Sequence, residues 1–320
     1  MARKGATMLA VAISATLAAA ATIDKRIVGG EDANIGDFPF LVSIRNQDGI
    51  QFCGGSLLDS TTVLTAGHCV KGSSYVKAGS LNRLVGGVGS LVASKKTHPD
   101  YDLLYETDEE AISVHDIGIL KLLQPIEKND TIHIGFATLP ADGHDPAVNS
   151  TAVAAGWGRQ HESGFKVDML SKVVIPIQAR KDCPKANDTT ICAGGNGKTV
   201  CKGDSGGPLV DEKTQQVIGI SSWVPKEEGG HHCNLAPASY TRVGSYIPFI
   251  EENLGGSLPV PAEEMLDALK TQQVYEHCDI FGSDKRGSCL SSYFECAQTL
   301  GWKAATQEII QCIDVLQKKN

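Results

Sequence analysis

Three short segments of this chain carry residues whose types and order suit covalent chemistry. In Gly203-Asp204-Ser205-Gly206-Gly207-Pro208 a serine sits in a glycine-rich loop, where the backbone can take conformations closed to residues with a Cβ. Such a loop exposes the hydroxyl and lets neighbouring N–H groups converge on one point. Acyl transfer needs that arrangement: a nucleophile beside a ready-made pocket for negative charge. Leu64-Thr65-Ala66-Gly67-His68-Cys69 ends an apolar run on a histidine, a general base for that hydroxyl. His115-Asp116-Ile117-Gly118-Ile119-Leu120 carries an aspartate into an apolar strand. A carboxylate buried there must be hydrogen-bonded, and a histidine N–H is one partner that satisfies it.

The elements that must position these residues read as an all-β body. Short β-branched or aliphatic runs at 40–45, 63–66, 117–122, 151–156, 172–177, 208–210 and 217–223 alternate with Gly, Asp, Asn and Pro. Many short strands with frequent turns predict a sandwich or barrel. Residues 243–254 read as one amphipathic helix, and Leu258-Pro259-Val260-Pro261 as a linker. Beyond it, the spacing predicts helices over 262–276 and 304–316.

Composition places the chain among globular proteins, with 42% hydrophobic and 21% charged residues in 320. A formal charge of −8 and the lack of a basic tract weigh against a nucleic-acid partner. Met1-Ala2-Arg3-Lys4 is a basic leader followed by an Ala-rich apolar stretch, so residues 1–20 read as a signal peptide. The stretch is short and weakly apolar for a membrane span, and the expected location is secreted, extracellular, with no membrane partner. Ten cysteines suit that oxidising compartment, six between Cys53 and Cys233 and four between Cys278 and Cys312. None shows C-x-x-C spacing, so no metal is expected. Sequons at Asn129, Asn149 and Asn187 predict a glycoprotein.

In order and spacing, the TAGHC, DIGIL and GDSGGP segments, together with Ile27-Val28-Gly29-Gly30, resemble the trypsin-like serine proteases of the chymotrypsin family. The resemblance implies a protease domain over 27–256, built as two six-stranded antiparallel β-barrels with a C-terminal helix. A small helical, disulfide-bearing extension over 257–320 resembles no family. The implied activity is a secreted serine endopeptidase in which Ser205 attacks the scissile carbonyl, His68 moves the proton and Asp116 orients His68. Backbone N–H groups of Gly203 and Ser205 would form the oxyanion hole. Gly67 and Gly118 stand where the family has alanine, a departure expected to add flexibility without touching a reacting group. Residues 21–26 would be an activation propeptide of a zymogen cut after Arg26, freeing the α-amino group of Ile27 to pair with Asp204. Implied disulfides are Cys53–Cys69, Cys183–Cys192 and Cys201–Cys233. The four extension cysteines leave three pairings open, with Cys289 and Cys296 spaced to share a helical face.

By the same resemblance, Thr199 occupies the base of the primary specificity pocket, where trypsins carry an aspartate. A neutral hydroxyl cannot offset desolvation of a substrate cation. Ser222, Trp223, Val224 and Ala238 would form the walls, with Val224 narrowing the mouth, so the expected preference is for small or medium apolar residues. Lys202 should stand at the rim, and the acidic stretch 102–110 would favour basic residues further along the substrate. The segment 78–98, where trypsins bind calcium, holds no Asp or Glu, so calcium is not expected there; the expected cofactor set is none. Partners are protein or peptide substrates, an activating protease and protein inhibitors. The rival reading, a catalytically silent homologue that acts as a secreted binding or inhibitor protein, usually goes with loss of a triad residue, and here all three are present.

Overall fold

A computed structural model describes residues 27–106, 111–160, 166–225, 233, 235–256, 262–279, 282–300, 304 and 306–318. The expected signal peptide, propeptide and Arg26 lie outside the described residues. After β1 (Glu31–Asp32), the chain forms β2 (Leu41–Arg45), β3 (Gln51–Asp59) and β4 (Thr62–Thr65). The short helix α1 (Gly67–Val70) follows, then β5 (Tyr75–Ala78) and β6 (Val88–Thr97). A hairpin of β7 (Asp102–Glu106) and β8 (Ala111–Val114) leads to β9 (Gly118–Leu122), which closes an antiparallel barrel in the order β2-β3-β4-β9-β6-β5.

The second barrel contains β10 (Thr151–Gly156), β11 (Ser171–Gln178), β12 (Thr190–Ala193), β13 (Pro208–Asp211), β14 (Val217–Trp223) and β15 (Ala238–Arg242). Its order is β11-β10-β13-β14-β15-β12; pairing of β11 with β12 closes it, and β1 adds to the edge of β11. Side chains alternate as a pleated strand demands: in β11, Val173, Ile175 and Ile177 point inward while Val174 is exposed. Val42, Ile44, Leu57, Leu64, Ile119 and Leu122 are among those filling the first barrel. Ala152, Ala154, Ile175, Leu209, Ile218 and Tyr240 help fill the second. Each large aliphatic side chain so buried contributes about 1.5–3 kcal/mol.

The helix expected over 243–254 is shorter than its pattern. Residues 243–245 form one tight 3₁₀ turn, and α2 (Ile247–Glu251) begins only afterwards, with Pro248 in its first turn. Proline is tolerated there because the first N–H groups of a helix lack intrahelical partners. The extension holds three helices, α3 (Ala262–Asp279), α4 (Gly282–Leu300) and α5 (Thr306–Gln317). Sequence spacing anticipated the first and third; α4, with two glycines and four serines, showed no such signal. Cys278–Cys289 ties α3 to α4, and Cys296–Cys312 ties α4 to α5. Cys289 and Cys296 therefore share a helix but bond to different neighbours. The three disulfides implied for the body are all formed. Val274, Tyr275, Leu290, Ile309 and Ile313 make a separate core that includes Tyr75 of β5.

Candidate active site

His68 lies in α1, directly after β4, and its neighbour Cys69 is bonded to Cys53 of β3. Asp116 sits between β8 and β9, 2% exposed. The residue before it, His115, has φ 49°, and its ring Nδ1 lies 3.0 Å from the Tyr246 hydroxyl. That anchored bend turns Asp116 toward α1. The backbone N–H of His68 donates to Asp116 Oδ1 at 2.9 Å, and His68 Nδ1 lies 2.8 Å from Oδ2. Ser222 donates to Oδ2 at 2.5 Å, while Thr241 donates to the Asp116 carbonyl at 2.8 Å. Burial alone would raise the Asp116 carboxyl, but the His68 charge and the hydrogen bonds from His68 and Ser222 hold it below the usual carboxylate range. The packing around His68 opposes its charged form, and the Asp116 carboxylate outweighs that, lifting the imidazole above its ordinary value.

The loop that carries Ser205 is gripped from both barrels. Gly203 has φ +107°, a conformation side chains rarely adopt. Gly54 N–H of β3 donates to the Ser205 carbonyl at 2.8 Å, and Gly206 N–H donates to the Ser221 carbonyl at 2.7 Å. Gln51 donates through Nε2 to the Gly203 carbonyl at 3.0 Å, and Lys166 donates to the Gln51 carbonyl. Asp204 points inward, 1% exposed, and accepts from Gly158 N–H at 2.7 Å and Cys201 N–H at 3.0 Å. A Cβ on Gly156 or Gly158 would stand 2.1 or 2.4 Å from its carboxylate oxygens, so only glycine fits at either place. Burial pushes Asp204 up to about 6 against the pull of those N–H groups and the Lys166 charge. Lys166, itself largely enclosed and near Arg83 and Arg159, is pushed down to about 8, with Asp204 pulling the other way. Ile27 is fully buried in the second-barrel core beside Ala152 and Ala154.

His68, Asp116 and Ser205 line one cavity of about 740 Å³. Val200, Ser221, Ser222, Trp223 and Val224 make one wall, and Tyr101, Leu103 and Ser113, at the β7–β8 hairpin, make another. Lys202 also faces the cavity. Thr199 and Ala238 are fully buried and neither is among the residues that line the cavity; the Thr199 hydroxyl has no partner among the described residues, and Ala238 pairs with Ala193 across β12 and β15. Of the acidic stretch 102–110, residues 107–110 lie outside the described residues. Val200, Tyr101, Gln51 and the glycine pair were not anticipated from sequence. Gly156-Trp157-Gly158 was the one signal available, since glycines flanking a tryptophan next to a strand mark a close approach.

Gly67 and Gly118 have compensations. A Cβ on Gly67 would meet the Tyr101 ring at 2.8 Å, and one on Gly118 would meet Val70 Cγ2 at 2.2 Å. Neighbouring side chains occupy the room, so these glycines fit tightly packed sites instead of loosening them. Among the described residues, the grouping with metal-ligand character is Cys53, His68 and Cys69. Its two sulfurs are already joined in a disulfide, which leaves one imidazole and no ligand set.

Residues 27–250 match the Trypsin family. The trypsin of Saccharopolyspora erythraea is 34% identical over 245 residues, covering 71% of this chain and 98% of that protein. Trypsin-1 of Astacus astacus is 33% identical over 245 residues, covering 71% and 99%. Among solved structures, human heparin binding protein aligns with a TM-score of 0.61 at 27% identity, over 74% of this chain and 100% of the other.

Proposed function

The chain belongs to the trypsin family and is a serine endopeptidase, and from that premise we propose that Ser205, His68 and Asp116 carry the hydrolysis. His68 removes the Ser205 proton as the hydroxyl attacks the scissile carbonyl, then returns it to the leaving amine. Asp116 fixes the tautomer that leaves Nε2 free to accept and steadies the imidazolium that forms. Gly203 and Ser205 N–H groups receive the oxyanion; in enzymes of this mechanism one such donor is worth about 3 kcal/mol of barrier. The observation that carries this reading is the 2.8 Å His68–Asp116 contact on the cavity that Ser205 also lines. It is tested by labelling the chain with a fluorophosphonate after cleavage at Arg26. An adduct on Ser205, lost in Ser205→Ala and His68→Ala, is expected. Correctly cleaved, folded protein without that adduct refutes it.

The enzyme is made as a zymogen. Cleavage after Arg26 frees the Ile27 α-amino group, which pairs with Asp204 and orders the oxyanion loop. In support, Asp204 is buried as a carboxylate with two N–H donors and the pull of the Lys166 charge, which together leave its carboxyl raised by burial, an incomplete set of partners for a buried anion. The preference is for small or medium apolar residues before the scissile bond. Val200 and Val224 beside Trp223 give that side of the cavity an apolar wall, and the acid among the described lining residues is Asp116, already engaged by His68 and Ser222. Secretion fits five disulfides in one chain. Among the described residues no helix is long and apolar enough to cross a membrane.

A further inference from the structure

The last two turns of α3 lie on the outer face of the first barrel. There Asp279 receives two cations: Arg45 of β2 donates through Nη1 at 3.2 Å, and Lys77 of β5 donates through Nζ. The Arg45 side chain is wholly buried and that of Lys77 nearly so, and buried charges persist only when paired and hydrogen-bonded. One turn earlier, Tyr275 stacks on Tyr75 with ring centroids 5.3 Å apart, and its hydroxyl donates to the Gln47 carbonyl. Gln272 extends the row, donating to the Gly89 carbonyl at 2.9 Å and to Gln124 Oε1 at 2.7 Å.

Two of these contacts fall on the hairpin that joins β2 to β3. Arg45 ends β2 and pairs across the hairpin with Gln51, the first residue of β3; Gln47 lies in the turn between them. Gln51, 2% exposed, reaches the other way to the Gly203 carbonyl. Three residues on, Gly54 N–H holds the Ser205 carbonyl. β3 therefore grips the nucleophile loop at two carbonyls, while the other side of the Arg45–Gln51 rung and the turn beside it are gripped by α3.

We propose that the C-terminal extension is a positioning element of the active site. By holding the hairpin at Gln47 and Arg45 it sets where Gln51 stands, and Gln51 sets the Gly203 carbonyl and the loop whose N–H groups meet the oxyanion. The inference rests on Ser205 as nucleophile and Gly203 as oxyanion donor. Gly203 has no side chain to lock its conformation, so its orientation depends on partners. An error of about 1 Å in such a site costs on the order of 10²-fold in rate, which leaves a distant brace room to matter.

The test compares full-length chains cleaved after Arg26. Tyr275→Phe keeps the ring stack and loses the bond to Gln47; Gln51→Leu removes the donor to Gly203; a third chain carries both. The readouts are kcat, KM and the inhibition constant of a peptidyl boronic acid, which forms a tetrahedral adduct on the nucleophile. Each single variant is expected to lose kcat and boronate affinity together, by about five- to tenfold, the effect of one hydrogen bond. KM stays within about twofold, and the double variant is no worse than Gln51→Leu, because both act along one path. Unaltered kcat and boronate affinity in Tyr275→Phe, or losses that multiply in the double variant, overturn the proposal. If Gln51→Leu does not fold, Tyr275→Phe alone decides it. Fluorophosphonate labelling of the unsubstituted enzyme separates the two levels: no Ser205 adduct removes the proposed mechanism itself. A normal adduct with an indifferent Tyr275→Phe removes only the role of the extension.

Discussion

Cleavage after Arg26 should change how stability responds to pH, and Asp204 sets the size of the change. In the uncleaved chain its carboxyl is raised from 3.8 to about 6. The folded state then holds that proton more tightly than the unfolded state, so this group favours folding below about pH 4 and loses its contribution as pH rises through 6. About two units at 1.36 kcal/mol each comes to roughly 3 kcal/mol. At about 2–4 °C per kcal/mol, that is a fall of roughly 6–12 °C in Tm between pH 4 and pH 7. In the cleaved chain the Ile27 ammonium compensates the ionised carboxylate and the fall disappears. The assay is thermal unfolding of Ser205→Ala chains, cleaved and uncleaved, across that range, each compared with Asp204→Asn to remove the slopes of other carboxylates. An uncleaved chain whose Tm, relative to Asp204→Asn, is flat or rises between pH 4 and 7 would refute the reasoning.

Two further outcomes are expected. Val224→Gly widens the cavity wall and shifts cleavage toward larger residues before the scissile bond, raising the rate after Phe relative to Ala by about tenfold, the value of one or two methylenes of fit; a peptide-library profile measures it, and a profile unchanged by the substitution removes Val224 from the specificity wall. Gly118→Ala drives a methyl into Val70 and costs about 1–3 kcal/mol by overpacking. Urea unfolding should show that loss, with Val70→Ala restoring part of it.

The family was legible because each proposed catalytic residue sits in a short segment with its own local constraint: glycines around Ser205, an apolar run before His68, an apolar strand after Asp116. The strands that local pattern missed owe their conformation to distant partners. β3 contains Gly54-Gly55, poor strand residues by propensity, yet a Cβ at Gly54 would stand 3.1 Å from the Gly207 backbone. β6 carries lysines and glycine but pairs along its length with β5 and β9. Gln51 meets Gly203 across 152 positions and Arg45 meets Asp279 across 234; no window of sequence contains both ends. Val200 carries no local signal, since a valine beside Thr199 reads as ordinary core, and only the fold turns it to the cavity.

The five disulfides join cysteines separated by 16, 9, 32, 11 and 16 residues, and each cysteine bonds its nearest partner still unclaimed along the chain. No bond crosses another, and none joins the extension to the body. A chain emerging from its N-terminus can thus seal each loop before the next pair of thiols arrives. Ten cysteines need not then search among wrong pairings, and α3 meets Arg45 and Lys77 on a barrel whose own covalent closure is already complete.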